Sequence, residues 1–384
     1  MKVSLTDICD FQGGTQPPKD EWIDQPAQGY VRMLQIRDFT QSDKNYIEYV
    51  KDTGKLKTCI EDDILIGRYG ASIGKILTGL AGAYNVAIVK TIPDEKVVSK
   101  KYLYWYLNSQ YFQRFISNVG SRAAQAGFNK NDLGAAQIPL VDKERQEEIC
   151  EMLEKANKLI SLRKQQLAKL DELIKARFVE MFGDFEFNPK EFPVYHLCEL
   201  CDVGSSKRIY QEEQSISGIP FLKVADLNEL IDTGKYSCST FIPLERYEQL
   251  LHKELTPTEN DILITSRGTL GKCYIVQSDD EFYFQDGMIS WLSNFSPKVS
   301  SIYISYLFAQ PYIQKQIESL QAGSTVAYLS IAMLKKINVI LPPKKLQDDF
   351  ATFVERVDQQ KQTVQQSLEK LELMKKALMQ EYFG

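Results

Sequence analysis

The stretch KERQEEICEMLEKANKLISLRKQQLAKLDELIKARFVEMFG, from Lys143 to Gly183, limits what this chain can fold into more than any other segment. It has no proline, its only glycine is its last residue, and it is rich in Glu, Lys, Gln and Leu, which lose little rotamer freedom in a helix. Leu153, Ile160, Leu167, Ile174 and Met181 recur every seven residues. A second row runs through Ile149, Ala156 and Leu170 and is interrupted by Arg163 and Arg177. This is the a/d pattern of a coiled-coil seam. At 1.5 Å per residue the helix would reach about 60 Å, far beyond an ordinary globular helix. A stripe that long needs a partner.

The chain supplies one at its other end. KLELMKKALMQEYFG, Lys370 to Gly384, aligns without a gap on KLDELIKARFVEMFG, Lys169 to Gly183. The lead-ins match at the same offset: IPLVDKERQEEI from Ile138 falls on VILPPKKLQDDF from Val339, placing Gln146 on Gln347 and Ile149 on Phe350. The second helix carries a clean row at Phe350, Val357, Val364, Leu371 and Leu378, with Lys361 and Lys375 on its weaker row. The two imperfect stripes are expected to pack on each other, with Lys and Arg stems covering the seam while their charges reach water.

The repeat extends upstream. LTDICD from Leu5 corresponds to LCELCD from Leu197, and LQIRDF from Leu34 to LKVADL from Leu222. DILIGRYGASIGK from Asp63 corresponds to DILITSRGTLGKC from Asp261, the two differing by one residue before the Gly-Lys. AGAYNVAIV falls opposite FYFQDGMIS, and GSRAAQAGFNKNDL opposite GSTVAYLSIAML. The chain therefore reads as two copies of one α+β unit, each a mixed domain followed by a long helix. The boundaries expected are a domain over 1–140, a helix over 141–183, a domain over 184–342 and a helix over 343–384. VRMLQI and PFLKVA read as strands, and DILIGRY with KILTG and DILITSR with KCYIV as hairpins. VSKKYLYWYLNSQYFQRFISN reads as one amphipathic helix with Tyr102, Trp105, Tyr106 and Phe112 toward the core; in its counterpart Pro311 can start a second segment.

Composition narrows the function. At 384 residues the chain can hold two or more cores, and a net charge of -5 argues against a uniformly basic nucleic-acid binder while leaving local patches open. No apolar run is long enough to span a bilayer and the N-terminus is unlike a signal peptide. The odd total of 7 cysteines then points to reduced thiols in a cytoplasmic protein. His196 and His252 are the only histidines, which disfavours a His-rich metal site or a His-dependent hydrolase. Cys198 and Cys201 have zinc-like spacing but no second close pair, so buried structural thiols are the preferred reading. The absence of an amino-methyltransferase tetrapeptide, and of an acidic-x-Lys element at nuclease spacing after Pro93-Asp94, points to binding rather than catalysis.

The Gly-Lys elements, Gly70 to Lys75 and Gly268 to Lys272, do not fit a P-loop. The spacing is wrong, Ile76 and Cys273 follow the lysines, and each lies between strands. A tight turn presenting Arg68, Tyr69, Ser72 and Lys75 in one copy, and Ser266, Arg267, Thr269 and Lys272 in the other, suits a nucleic acid better. Glycines allow close backbone approach to phosphates, while Arg and Lys neutralise phosphates or read guanine edges. The alternative is a plain hairpin turn with a solvated lysine. A second donor-rich surface precedes each long helix: Ser121, Arg122, Gln125, Asn129 and Lys130, with Ser324, Thr325 and Tyr328 as less basic equivalents.

Domain, long helix, domain, long helix, each helix ending in Phe-Gly, resembles the specificity subunit of type I restriction-modification enzymes. The resemblance covers essentially the whole chain. Leu341-Pro342-Pro343 with Gln347 fits the family's lead-in, whereas the first copy has Val141-Asp142 in place of the prolines but keeps Gln146. The resemblance implies two target recognition domains, each reading one half of a split site in double-stranded DNA. It also implies an antiparallel helix pair with pseudo-twofold symmetry that fixes the gap. The partners it implies are two DNA adenine methyltransferase subunits and restriction subunits with translocase activity. S-adenosylmethionine, ATP and magnesium would reside on those partners, and this chain would contribute no catalytic residue. An alternative is a similar DNA-targeting chain acting with another DNA-modifying or phage-defence enzyme.

Overall fold

The computed structural model describes residues 1–41, 46–122, 127–321 and 327–384, with the side chains of 120–122 outside the description. Two compact units emerge: Met1–Gln166 with Val364–Gly384, and Leu167–Thr363. Two uninterrupted helices of 40 residues, Lys143–Phe182 and Lys344–Phe383, each contribute to both. The first ends where Gly183 takes a left-handed φ of 84° and its N–H bonds Val179 O at 2.8 Å.

Within the first unit the helices run antiparallel. The Tyr382 hydroxyl meets Met152 Sδ at 3.9 Å, Lys375 Nζ donates to Asn157 Oδ1 at 2.7 Å, and Lys164 pairs with Glu372 at 2.9 Å. The second unit repeats the sense: Lys361 pairs with Asp171 at 2.7 Å, and the Phe178 and Phe350 rings lie 5.3 Å apart. Ile149, Leu153, Ala156, Ile160, Leu170 and Ile174 are buried on one helix, and Phe350, Val354, Val357, Val364 and Leu368 on the other. Leu167, Leu371 and Leu378 are half-buried. The interrupting cations behave as their flexible stems allow. Arg177 lies over Phe353, and Lys375 over Trp105. Burial alone would depress the Lys361 pKa, but Asp171 and Asp358 outweigh it and hold the ammonium above its ordinary value. Lys375, desolvated and near Lys164, is pushed below it.

The domain of the first unit contains a four-stranded sheet ordered Cys9–Gly13, Ile88–Pro93, Leu65–Gly67, Ile76–Leu77, all neighbours antiparallel. A second, mixed sheet is ordered Tyr49–Lys51, Tyr30–Leu34, Gly82–Tyr84, Thr58–Cys59. The second unit has the same antiparallel sheet, ordered Asp202–Ser205, Ile289–Ser293, Ile262–Thr265, Cys273–Ile275. Both expected hairpins are present. The two expected strands VRMLQI and PFLKVA stop early, at Leu34 and Leu222. In each, a carboxylate three residues on captures a backbone N–H and starts a helix: Asp38 accepts from Gln35 N at 2.7 Å, and Asp226 from Lys223 N at 2.8 Å.

The single amphipathic helix expected from Val98 is two helices, Lys100–Leu107 and Gln110–Arg122. Asn108 ends the first by donating to Tyr104 O at 2.8 Å, and the buried Ser109 hydroxyl accepts from Phe112 N at 3.2 Å to start the second. Tyr102, Trp105, Tyr106 and Phe112 are nevertheless all buried. In the other copy the same break falls before Pro311, with helices Ser301–Phe308 and Pro311–Leu320.

Each domain is tied to a helix start by one buried glutamine. Gln146 Oε1 accepts from Ser99 N at 2.9 Å, and its Nε2 donates to Val97 O and Val141 O, both at 2.9 Å. Gln347 repeats this with Ser300 N at 2.9 Å, Lys298 O at 3.0 Å and Pro342 O at 2.7 Å. Each domain core is closed by the end of the other long helix: Phe383 packs with Tyr102 and Tyr106, and Phe182 with Tyr303 and Phe350.

All seven cysteines are free thiols. Burial pushes the Cys9 and Cys201 thiols up to about 12, which leaves them protonated and unreactive at neutral pH. Among the described residues no group of three His, Cys, Asp or Glu is placed to hold a metal ion, and no helix is long and apolar enough to cross a membrane.

Candidate nucleic-acid interface

In both units the Gly-Lys turn singled out in the sequence lies at one end of the four-stranded sheet. In the first unit, register puts three connections there: the one leaving Gly13, the one entering Ile88, and the turn from Gly67 to Ile76. In the second, the corresponding connections leave Ser205, enter Ile289 and run from Thr265 to Cys273.

Backbone hydrogen bonds align the two turns at both ends. Gly67 N bonds Lys75 O and Gly74 N bonds Gly67 O, each at 2.9 Å; Thr265 N bonds Lys272 O at 3.0 Å and Gly271 N bonds Thr265 O at 2.9 Å. Arg68 N bonds Ala87 O and Ser266 N bonds Met288 O, each at 2.8 Å. The glycine before each lysine has a structural role. Gly74 has φ 75° and Gly271 φ 76°, and a Cβ at either would collide with a helix, 2.5 Å from Ile116 Cγ2 or 2.8 Å from Ile317 Cδ1. Gly70 and Gly268, at the outer side of the turns, have open space where a Cβ would stand.

The turn and the loop before the short helix come together in both copies, through bridges Tyr69–Gly127 and Arg267–Tyr328. Arg68 is half-buried; its Nε donates to Phe128 O at 2.9 Å and its guanidinium lies 5.0 Å from the Tyr69 ring. Tyr69 is exposed and crosses Gly127, where a Cβ would come within 2.5 Å of Tyr69 Cδ1. Arg267 is exposed, with its guanidinium 5.2 Å from the Tyr328 ring. Asn129 caps the helix Lys130–Gly134 by accepting from Asp132 N at 3.1 Å, and Lys130 pairs with Asp10.

The other candidates divide. Lys75 is exposed and its ammonium makes no hydrogen bond or ion pair among the described residues, whereas Lys272 pairs with Asp232 at 2.6 Å. Ser72 is half-buried within the turn and Thr269 is exposed. Ser266 is buried and shares a 2.7 Å hydrogen bond with Ser290, so its hydroxyl joins two strands rather than facing outward. Arg122 ends its helix with its side chain undescribed, and Gln125, Ser324 and Thr325 lie outside the described residues. Sequence reasoning missed Lys207 and Arg208, which follow Ser205 to the same sheet end, Arg208 pairing with Asp286 at 2.9 Å. Their signal was the basic pair in GSSKRIY, whose counterpart in the first copy is the uncharged Thr15-Gln16.

The chain matches the family model of the type I restriction modification DNA specificity domain twice, over residues 1–172 and 189–373. It is 25% identical over 403 aligned residues to the type I restriction enzyme MjaVIII specificity subunit of Methanocaldococcus jannaschii, covering 98% of this chain and 90% of that one. A putative type I restriction enzyme specificity subunit of Haemophilus influenzae is 26% identical over 277 residues, 70% of this chain and 67% of the relative. Among solved structures, the S subunit of a type I restriction-modification system from M. genitalium aligns at TM-score 0.58 and 16% identity, covering 100% of this chain and 96% of that one. A chain from a solved type I R-M system aligns at TM-score 0.61 and 14% identity over 100% and 97%. The paired match to the family model spans nearly the whole chain, so this protein belongs to the type I restriction-modification DNA specificity family.

Proposed function

We propose that each domain reads one half of a split site in double-stranded DNA through the sheet end that carries Arg68, Tyr69 and Lys75, with Lys130 beyond the bridged loop, or Arg267, Thr269, Lys272 and Tyr328. The observation that carries this is the double occurrence of one construction. In both units an arginine and a lysine sit on a turn at the same end of the same sheet, with the guanidinium near a tyrosine ring that comes from the turn in one unit (Tyr69) and from the bridged segment in the other (Tyr328). Lysines at such a turn neutralise phosphates, and exposed side chains between them reach base edges. Two related but non-identical modules read two different half-sites, so the whole site need not be palindromic.

The long helices act as spacer and as docking surface for two DNA adenine methyltransferase subunits and the restriction subunits with their translocase. S-adenosylmethionine, ATP and magnesium belong to those partners, and this chain is the non-catalytic member of the complex. Several of its cations are already paired with carboxylates, as in Lys130–Asp10 and Lys272–Asp232. Cations without such a carboxylate, as Lys75, release counterions when they neutralise phosphates, so binding is expected to weaken with salt, the internal pairs at Lys130 and Lys272 softening the slope. Footprinting of the chain with its co-expressed methyltransferase subunit is expected to show two protected segments with a fixed gap. One short continuous footprint would contradict the two-module reading.

A further inference from the structure

The alignment of the two turns shows an exchange that the sequence repeat conceals. Arg68 corresponds to the buried Ser266, and Tyr69, not Arg68, occupies the place of Arg267. The loop positions exchange as well: Gly127 stands where the second unit has Tyr328. Both units thus hold a guanidinium near a tyrosine ring, at 5.0 and 5.2 Å, but with the chemistry pointing outward reversed. In the first unit the arginine is half-buried and bonded to Phe128 O, leaving the tyrosine exposed. In the second the arginine is exposed, and its guanidinium makes no hydrogen bond or ion pair among the described residues.

We infer that this position, Tyr69 in one unit and Arg267 in the other, is a specificity-determining residue of each domain. Arg267 takes the paired acceptors of a guanine edge in its half-site, and Tyr69 imposes no guanine in the other. The inference rests on the split-site reading above. A phosphate contact places a duplex in the same way whatever its sequence, so a repeated module can keep the same residue for it. Lys75 and Lys272 fit that role, being the same residue at aligned places. A base contact must change when the half-site changes, and this position has changed from a ring with one hydroxyl to a planar fork of donors. The Tyr328 ring holds the guanidinium plane and lowers the entropy lost when the fork engages O6 and N7 of guanine. Tyr69 has no such fork; its exposed ring suits a thymine methyl or a base face.

Selection from a randomised duplex library, with the full chain and its co-expressed methyltransferase subunit, tests this. Wild-type chain is expected to select two half-sites, one with a guanine that disappears in both Arg267→Ala and Arg267→Lys, a loss of discrimination of at least about fivefold. The other half-site, unchanged, reports that each variant is folded. The inference is overturned if Arg267→Lys keeps the wild-type preference, or if both variants lose affinity equally for every base, the signature of a phosphate contact. Absence of any split preference in the wild-type chain would instead defeat the underlying two-domain reading.

Discussion

Gln146 and Gln347 show how much one residue can hold. A glutamine amide has two donor hydrogens and an acceptor oxygen, and each of these side chains, fully buried, uses all three on backbone groups. The bonds join the start of a long helix to the domain before it. Gln146→Leu is expected to cost about 2–4 kcal/mol, because it strands a buried N–H and two carbonyls at once. Gln146→Glu should cost a similar amount, since a carboxylate can accept from Ser99 N but cannot donate to Val97 O and Val141 O. Denaturant unfolding of the full chain measures both, and a loss below about 1 kcal/mol would show that the carbonyls find other donors. Self-comparison paired the two glutamines, but their role was not legible. The acceptor bond in each copy reaches back 47 residues, a separation no local pattern encodes. The burial of Ser266 escaped for a similar reason: a serine in a turn motif resembles a surface donor until its partner strand, with Ser290, is in place.

At the scale of the element, the long helices were the most legible part, because a seven-residue row over 40 residues leaves no competing period. Strand ends and the break at Asn108-Ser109 were not, since both depend on single capping bonds that override a continuous apolar pattern. The sheet end that gathers the candidate interface was only half legible. Each loop could be named, but bringing turn and loop together depends on long-range pairing such as Arg267–Tyr328. The polar interruptions of the seam separate experimentally. Lys361 balances Asp171 at 2.7 Å and Asp358, whose own pKa burial pushes up. Lys375 has an amide and a ring but a second ammonium nearby. Lys361→Met is expected to destabilise by about 1–2 kcal/mol by leaving Asp358 uncompensated, and Lys375→Met to be neutral or stabilising. Thermal unfolding at pH 7 compares them; equal losses would mean that the seam is indifferent to the partners of its cations.

In the proposed function, two reading domains are set apart by a spacer whose length is a number of helical residues. One helix is continuous from Lys143 to Phe182 and the other from Lys344 to Phe383, with no proline or glycine at which the spacing could yield. Removing one heptad from each helix at facing positions, residues 160–166 and 366–372, keeps the phase of the seam. It shortens the rod by about 10.5 Å, or about three base pairs of B-form DNA. The measurement is the methylation pattern of DNA modified by the complex, mapped by sequencing for the wild-type and shortened chains. The expected result is the same two half-sites with a gap shorter by about three base pairs. An unchanged gap with both half-sites still recognised would contradict the role of the helices as the spacer.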